Sequence, residues 1–125
     1  MKTKSFSATS KSESFRFAFS GLTSMMKFEY NARIHLVAAI IAVIAGIVLR
    51  IDLTEWCFIV LVTGLVFLTE LFNTSLEALG DAVDSKWNER IKKAKDYSAG
   101  AVLISALISV IIGGIIFLPK IIRLF

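Results

Sequence analysis

Residues 70–96 read ELFNTSLEALGDAVDSKWNERIKKAKD, the tail of a long apolar run passing into dense charge. Wound as a helix, Glu70, Asn73, Glu77 and Asp81 stand at i, i+3, i+7 and i+11. At about 100° per residue the four fall within roughly 80° of one another, along about 16 Å of axis. Three carboxylates and an amide on one stripe of a membrane helix are costly unless something cationic sits among them. A divalent metal carrying a phosphate meets that need.

The 125 residues are 56% apolar, one domain's length and too apolar for an ordinary soluble domain. A soluble chain this short has a large surface for its volume and needs more polar residues to cover it. Lipid is the alternative solvent. The net charge of +4 does not point to nucleic acid, because the basic residues gather at membrane flanks and are not interleaved with aromatics. Lone Cys57 excludes an intrachain disulfide and any multi-cysteine metal site. The opening, MKTKSFSATSKSES, is polar and shows no cleavable signal, so an integral membrane protein kept whole is expected.

Residues 1–14 carry Lys, Ser and Thr with little to bury and are expected to form a disordered cytosolic tail. The membrane domain is expected over 15–125. Within residues 15–31, Phe15, Phe19, Leu22 and Met26 recur near helical spacing beside Arg16 and Lys27, the pattern of an amphipathic interfacial helix. The same periodicity also serves a helix packing on a soluble core. The first span is placed at about 34–51, with Ala38, Ala42 and Gly46 as a small-residue strip for close helix approach. A polar turn with Arg50, Asp52 and Glu55 follows, with Asp52 or Thr54 as helix cap. The second span, about 55–79, starts at the interfacial Trp56 and runs into the acidic stripe. The third, about 98–118, carries a seam of Ala101, Ser105, Ser109 and Gly113 and is expected to stop at Pro119.

Six Lys and Arg precede the first span and five lie between the second and third, against three in the first turn and at the carboxyl end. That asymmetry predicts a cytoplasmic amino terminus and a cytoplasmic charged loop. The stripe then opens where ATP and Mg²⁺ are available.

An ionisable residue inside a span is a functional candidate, since its desolvation costs several kcal/mol. Glu70 and Glu77 cannot both stay charged there without a cation. Mg²⁺ takes one or two carboxylates and completes its shell with phosphate oxygens and water. Glu29, at the inner end of the interfacial helix, reaches the same level, as do Lys95 and Asp96. The chain lacks GxxxxGK[ST], HRD and DFG, and the dinucleotide glycine pattern, so a nucleotide site must be assembled from carboxylates, metal and loop lysines. Phosphoryl transfer needs mainly positioning and charge stabilisation, which such an assembly supplies. Glu70, the deepest carboxylate, is the candidate base for a lipid hydroxyl.

The run ELFNTSLEALGD, about a dozen charged residues, and then AKDYSAGAVLISA resembles the prokaryotic diacylglycerol kinase family. Those are small three-span membrane kinases that include undecaprenol kinases, and the similarity covers nearly the whole chain. The resemblance implies that Glu70 accepts the proton of the lipid hydroxyl and that Glu29 and Glu77 hold the Mg²⁺ bridging the ATP phosphates. Asn73, Asp81, Lys95 and Asp96 match positions that support the nucleotide, and Lys86, Trp87 and Asn88 fall where the family contacts it, with different identities. Arg33 falls on the pattern near the lipid entrance. The resemblance also implies a homotrimer with sites shared between neighbours, in the bacterial cytoplasmic membrane. His35, in NARIHLVAA, stands where the diacylglycerol-phosphorylating enterobacterial members carry an acid, and Gram-positive undecaprenol kinases are more similar there.

Two other classes compete. In a small oligomeric proton- or cation-coupled transporter Glu70 would bind the ion, but such a protein has no evident need for AKD beside Glu77. A non-catalytic scaffold leaves the buried carboxylates unexplained. Diacylglycerol and undecaprenol both offer a primary hydroxyl at the interface, and residue patterning does not separate them.

Overall fold

The computed structural model describes residues 10–125, which form four α-helices and, among the described residues, no strand. Helix α1 is Lys11–Phe28, α2 is Tyr30–Val48, α3 is Leu53–Val83 and α4 is Glu89–Ile122. The expected amino-terminal tail lies outside the described residues up to residue 9. Its last four positions are corrected: α1 begins at Lys11, because the Ser10 hydroxyl accepts from the Glu13 backbone N–H at 3.4 Å and caps the helix.

Helices α2, α3 and α4 are each long and apolar enough to cross a membrane. The apolar side chains they leave exposed, such as Ile40, Ile44, Val60, Leu61, Leu103 and Ile111, would be a liability in water and carry none in lipid. The chain is an integral membrane protein. Thirty-one and thirty-four residues make α3 and α4 about 46 and 51 Å long, against a hydrocarbon core of about 30 Å. Both therefore project well beyond the bilayer. The connection between them shrinks to residues 84–88, so Lys95 and Asp96 stand on a helix and not in the expected loop.

Helices α3 and α4 form the principal antiparallel pair. Asp81 meets Lys95 near their connection, Thr69 meets Ser105 midway, and Glu55 meets Lys120 at the opposite end. Helix α2 lies antiparallel to α3, with His35 beside Glu70 and Gly46 beneath Trp56. A Cβ on Gly46 would lie 2.6 Å from Trp56 Cη2, so the missing side chain is what lets the indole seat there. Around it Ile51, Ile59 and Ile116 are buried, with Ala42, Ile112 and Phe117 packed on them.

The turn between α2 and α3 places Arg50 at φ 53°, left-handed, and sends the Ile51 N–H back to the Gly46 carbonyl at 3.1 Å. Asp52 then caps α3 in a reciprocal box with Glu55, which settles the choice between Asp52 and Thr54. Pro119 does not stop α4. It lies inside the last turn, where it forfeits one backbone donor while the Arg123 N–H still reaches the Pro119 carbonyl at 3.2 Å.

Candidate active site

The acidic stripe is carried whole on α3 and meets three different environments along its length. Glu70 is 17 residues past Leu53, about 26 Å along the helix, near the far face of a 30 Å core. It is 2% exposed, turned toward α2, with Oε1 3.2 Å from His35 Nε2. That approach is out of line for a hydrogen bond, and Oε1 is left buried without one. One helical turn on, Thr74 Oγ1 is also buried and unpartnered. Two orphaned polar atoms on successive turns are rare in a folded interior, where nearly all such atoms are bonded.

The next turn faces α4. Asn73 accepts from the Ser98 hydroxyl at 2.7 Å and directs its amide at Glu77 Oε1, 3.5 Å away. Glu77 is half-buried and, among the described residues, has no cationic partner. Glu29 sits where the chain breaks between α1 and α2, with its backbone N–H on the Met25 carbonyl and no side-chain cap bond. No hydrogen bond or ion pair joins Glu29 to Glu77. Among the described residues, no three His, Cys, Asp or Glu side chains gather as a metal cage. Mg²⁺ uses one or two protein carboxylates and takes the rest from phosphate and water, so half-buried Glu77, without a cationic partner among the described residues, and half-buried Glu29 are each of a kind able to serve as a ligand.

Beyond the bilayer the stripe ends in Asp81, bonded to Lys95 Nζ at 2.6 Å. Gly80 makes this approach possible: a Cβ there would lie 2.9 Å from Ile91 Cγ2 and 3.3 Å from Lys95 Cε. A pocket of about 260 Å³ opens here, lined by Asp81, Lys86 and Lys95 together with Trp87, Asn88 and Lys92. The connecting segment is clasped by Asp84, whose carboxylate accepts from the Asn88 amide at 3.2 Å and the Lys86 N–H at 3.0 Å. The Asn88 bond first, and then the Lys86 bond, hold the Asp84 carboxyl below its ordinary value of 3.8.

The structure thus gathers the expected residues into three groups: Glu70, then Asn73 with Glu77, then Asp81, Lys86 and Lys95. Asp96 is not brought to them. It is exposed and pairs with Lys92 one turn back on its own helix. Arg33 is exposed as well, its guanidinium 5.9 Å from the Tyr30 ring centre. Ser98 and Thr74 were missed from sequence. Ser98 lies one turn after Lys95 within AKDYSAG, so helical register would have put it beside the stripe.

A second cavity, about 200 Å³ and mostly apolar, lies between α2, α3 and α4, with His35 at its wall among Ala38, Ala42, Val62 and Val66.

A sequence model of prokaryotic diacylglycerol kinases matches residues 16–117. The chain is 40% identical to undecaprenol kinase of Bacillus subtilis over 108 residues, 86% of this chain and 88% of that protein. It is 36% identical to diacylglycerol kinase of Synechocystis over 112 residues, 89% of this chain and 64% of that protein. Against diacylglycerol kinase of Escherichia coli the identity is 30% over 95 residues, 76% of this chain and 78% of that protein. With a match spanning most of its length and all three apolar helices, the chain belongs to the prokaryotic diacylglycerol kinase family.

Proposed function

We propose that this lipid kinase moves the γ-phosphoryl group of Mg²⁺–ATP onto the primary hydroxyl of a membrane lipid alcohol, with Glu70 as the base. One observation carries the reading: a carboxylate 2% exposed, near one face of the bilayer's hydrocarbon core, with an oxygen that has no hydrogen bond among the described residues. A lipid hydroxyl is the donor that such an oxygen lacks. The apolar cavity that begins beside His35 and runs along α3 from Phe67 toward Ile59 offers the attached chain a dry place.

Glu29 and Glu77 would hold the Mg²⁺, which supplies charge neutralisation at the phosphates. Lys95 and Lys86 line the pocket where a nucleotide's phosphates would find positive charge, and Asn73, fixed by Ser98, holds Glu77 in place. Asp81 holds Lys95 at the pocket, and Asp96 pairs with Lys92 at the pocket's edge. Arg33, at the mouth of α2, is suited to the lipid headgroup level. The site opens to the cytoplasm of a bacterial inner membrane, and a homotrimer would cover the apolar faces that a single chain exposes.

Of the two alcohols, undecaprenol is favoured. His35 stands at the position where the resemblance separates the two substrate groups, and the identity to the undecaprenol kinase exceeds that to either diacylglycerol kinase. Purified chain in mixed micelles with labelled ATP and Mg²⁺, given each lipid in parallel, is expected to phosphorylate undecaprenol faster. Faster diacylglycerol phosphorylation reverses the substrate assignment, and labelling of neither lipid ends the kinase reading in favour of an ion pathway.

A further inference from the structure

The base creates a problem for itself. Once Glu70 has taken the lipid's proton it must lose it before the next turnover, and a side chain 3% exposed has almost no water to give it to. His35 Nε2 lies 3.2 Å from Glu70 Oε1, and the His35 side chain is 23% exposed. Helix α4 brings Ser109, Val110, Gly113 and Phe117 to the cavity that His35 lines, none of them charged. The charged residues of α1 (Lys11, Glu13, Arg16 and Lys27) are all exposed, and on α2 itself Arg33 is turned over Tyr30. Among the described residues, Glu70 is the single charged group within ion-pair distance of the imidazole.

We propose that His35 is the proton exit of the kinase, a residue that acts through Glu70 by taking from it the proton removed from the lipid. The inference rests on the kinase reading above. As the lipid oxygen forms its bond to the γ-phosphorus and the bond to the ADP oxygen breaks, the hydroxyl proton passes to the Glu70 carboxylate. ADP leaves with the bonding electron pair. The resulting carboxylic acid gives its proton to the Nε2 lone pair, leaving carboxylate and imidazolium as a close ion pair. The imidazolium then releases a proton to water at its exposed edge. One proton is discharged per lipid phosphorylated, and the base is restored. The unaligned 3.2 Å approach suits this role: Nε2 stands near the oxygen without tying it up, so Glu70 stays free to receive the lipid hydroxyl. A carboxylate at the same position, as in the members that carry an acid there, is also able to accept a proton.

The test compares the full chain with His35→Gln and His35→Ala in the mixed-micelle assay. Glutamine fills the space and still offers a hydrogen bond, but it takes no proton. His35→Gln is expected to lower kcat by about tenfold or more while KM for ATP stays within about twofold. His35→Ala is expected to be equally slow and to regain activity as imidazole is added to the buffer. No such gain is expected when Glu70→Gln is also present. Thermal unfolding of each variant identifies any that is misfolded, and His35→Gln then decides alone, being the better space-filler. Wild-type kcat in His35→Gln overturns the inference, as does a well-folded His35→Ala that imidazole leaves unchanged. An active wild-type chain in either case leaves the kinase reading standing. A wild-type chain inactive on both lipids fails at the earlier step and removes the inference with it.

Discussion

The two ends of α3 handle charge in opposite ways. At its amino end every acidic group is answered: Asp52 and Glu55 cap the helix reciprocally, and Lys120 Nζ reaches both Glu55 oxygens at 3.0 Å. Past the middle, among the described residues, Glu70 is buried with an unbonded oxygen, and Glu77 meets only an amide at 3.5 Å. A helix able to build a complete polar network at one end has not done so at the other. An unsatisfied buried polar atom costs about 1–3 kcal/mol, more when charged. Stability alone would not retain that arrangement. It is understandable where the missing partners are a metal, a nucleotide and a lipid hydroxyl.

The largest effect is expected where satisfaction is poorest. Glu70→Gln keeps the shape and removes the base, and labelled phosphate transfer to lipid should fall by at least about 100-fold. The thermal midpoint should hold or rise, since a neutral amide is easier to bury than a carboxylate. Unchanged transfer would reassign the base. A sharp loss of stability would make Glu70 structural and dissolve the contrast between the two ends.

At the other end the pattern should invert. Glu55→Gln or Lys120→Met leaves a half-buried charge without its partner and is expected to cost about 1–3 kcal/mol. The double variant should recover part of that loss, because the pair is removed together. Phosphate transfer at saturating substrate should stay at the wild-type rate in all three. Thermal unfolding in detergent reads the first outcome and the lipid assay the second. A kinase defect without destabilisation would mean that this end also belongs to the site.

The same asymmetry governs what was legible in the sequence. Apolar runs long enough to cross a bilayer gave the three spans directly, and charge spacing gave the stripe, because both depend on one helix at a time. Helix ends were read less well. Ser10 and Glu13 form the S-x-x-E pattern of a helix start, yet the polar composition around them suggested a tail. Pro119 suggested a stop where the last turn tolerates it. The pairing of His35 with Glu70 was out of reach for a different reason. Helix α2 offered a side, the Ala38, Ala42 and Gly46 strip on which His35 also falls, but its pattern does not say which neighbouring helix that strip meets or at what rotation. That rotation is set by packing, including the seat of Trp56 on Gly46, and packing involves residues far apart in sequence.

The turn that leads into the paired end supplies a smaller, stabilising test. Arg50 holds φ at 53°, a conformation that L side chains adopt at about 1–2 kcal/mol each. Glycine adopts it freely but loses more chain entropy on folding. Arg50→Gly should therefore raise stability by about 0.5–1 kcal/mol. Arg50→Ala should show no such gain, which separates relief of the backbone from loss of the charge. Equal effects of Gly and Ala would point to the charge instead.

The smallest effect is expected at the exposed clasp beyond the stripe. Asp84 accepts from Asn88 and Lys86, and those bonds favour its charged form, lowering its folded titration below 3.8. The unfolded chain binds the proton more readily, so the clasp's contribution is complete above 3.8 and fades as pH falls through the lower folded value. Asp84→Asn cannot titrate, and the difference in thermal midpoint between it and the wild type should shrink as the solution is acidified through this window. Subtracting the variant removes the common response of the other carboxylates. A difference that stays constant with pH would show that the charged form of Asp84 is not what holds the segment. It would also place this segment apart from both ends of α3, as a connection whose shape does not depend on charge.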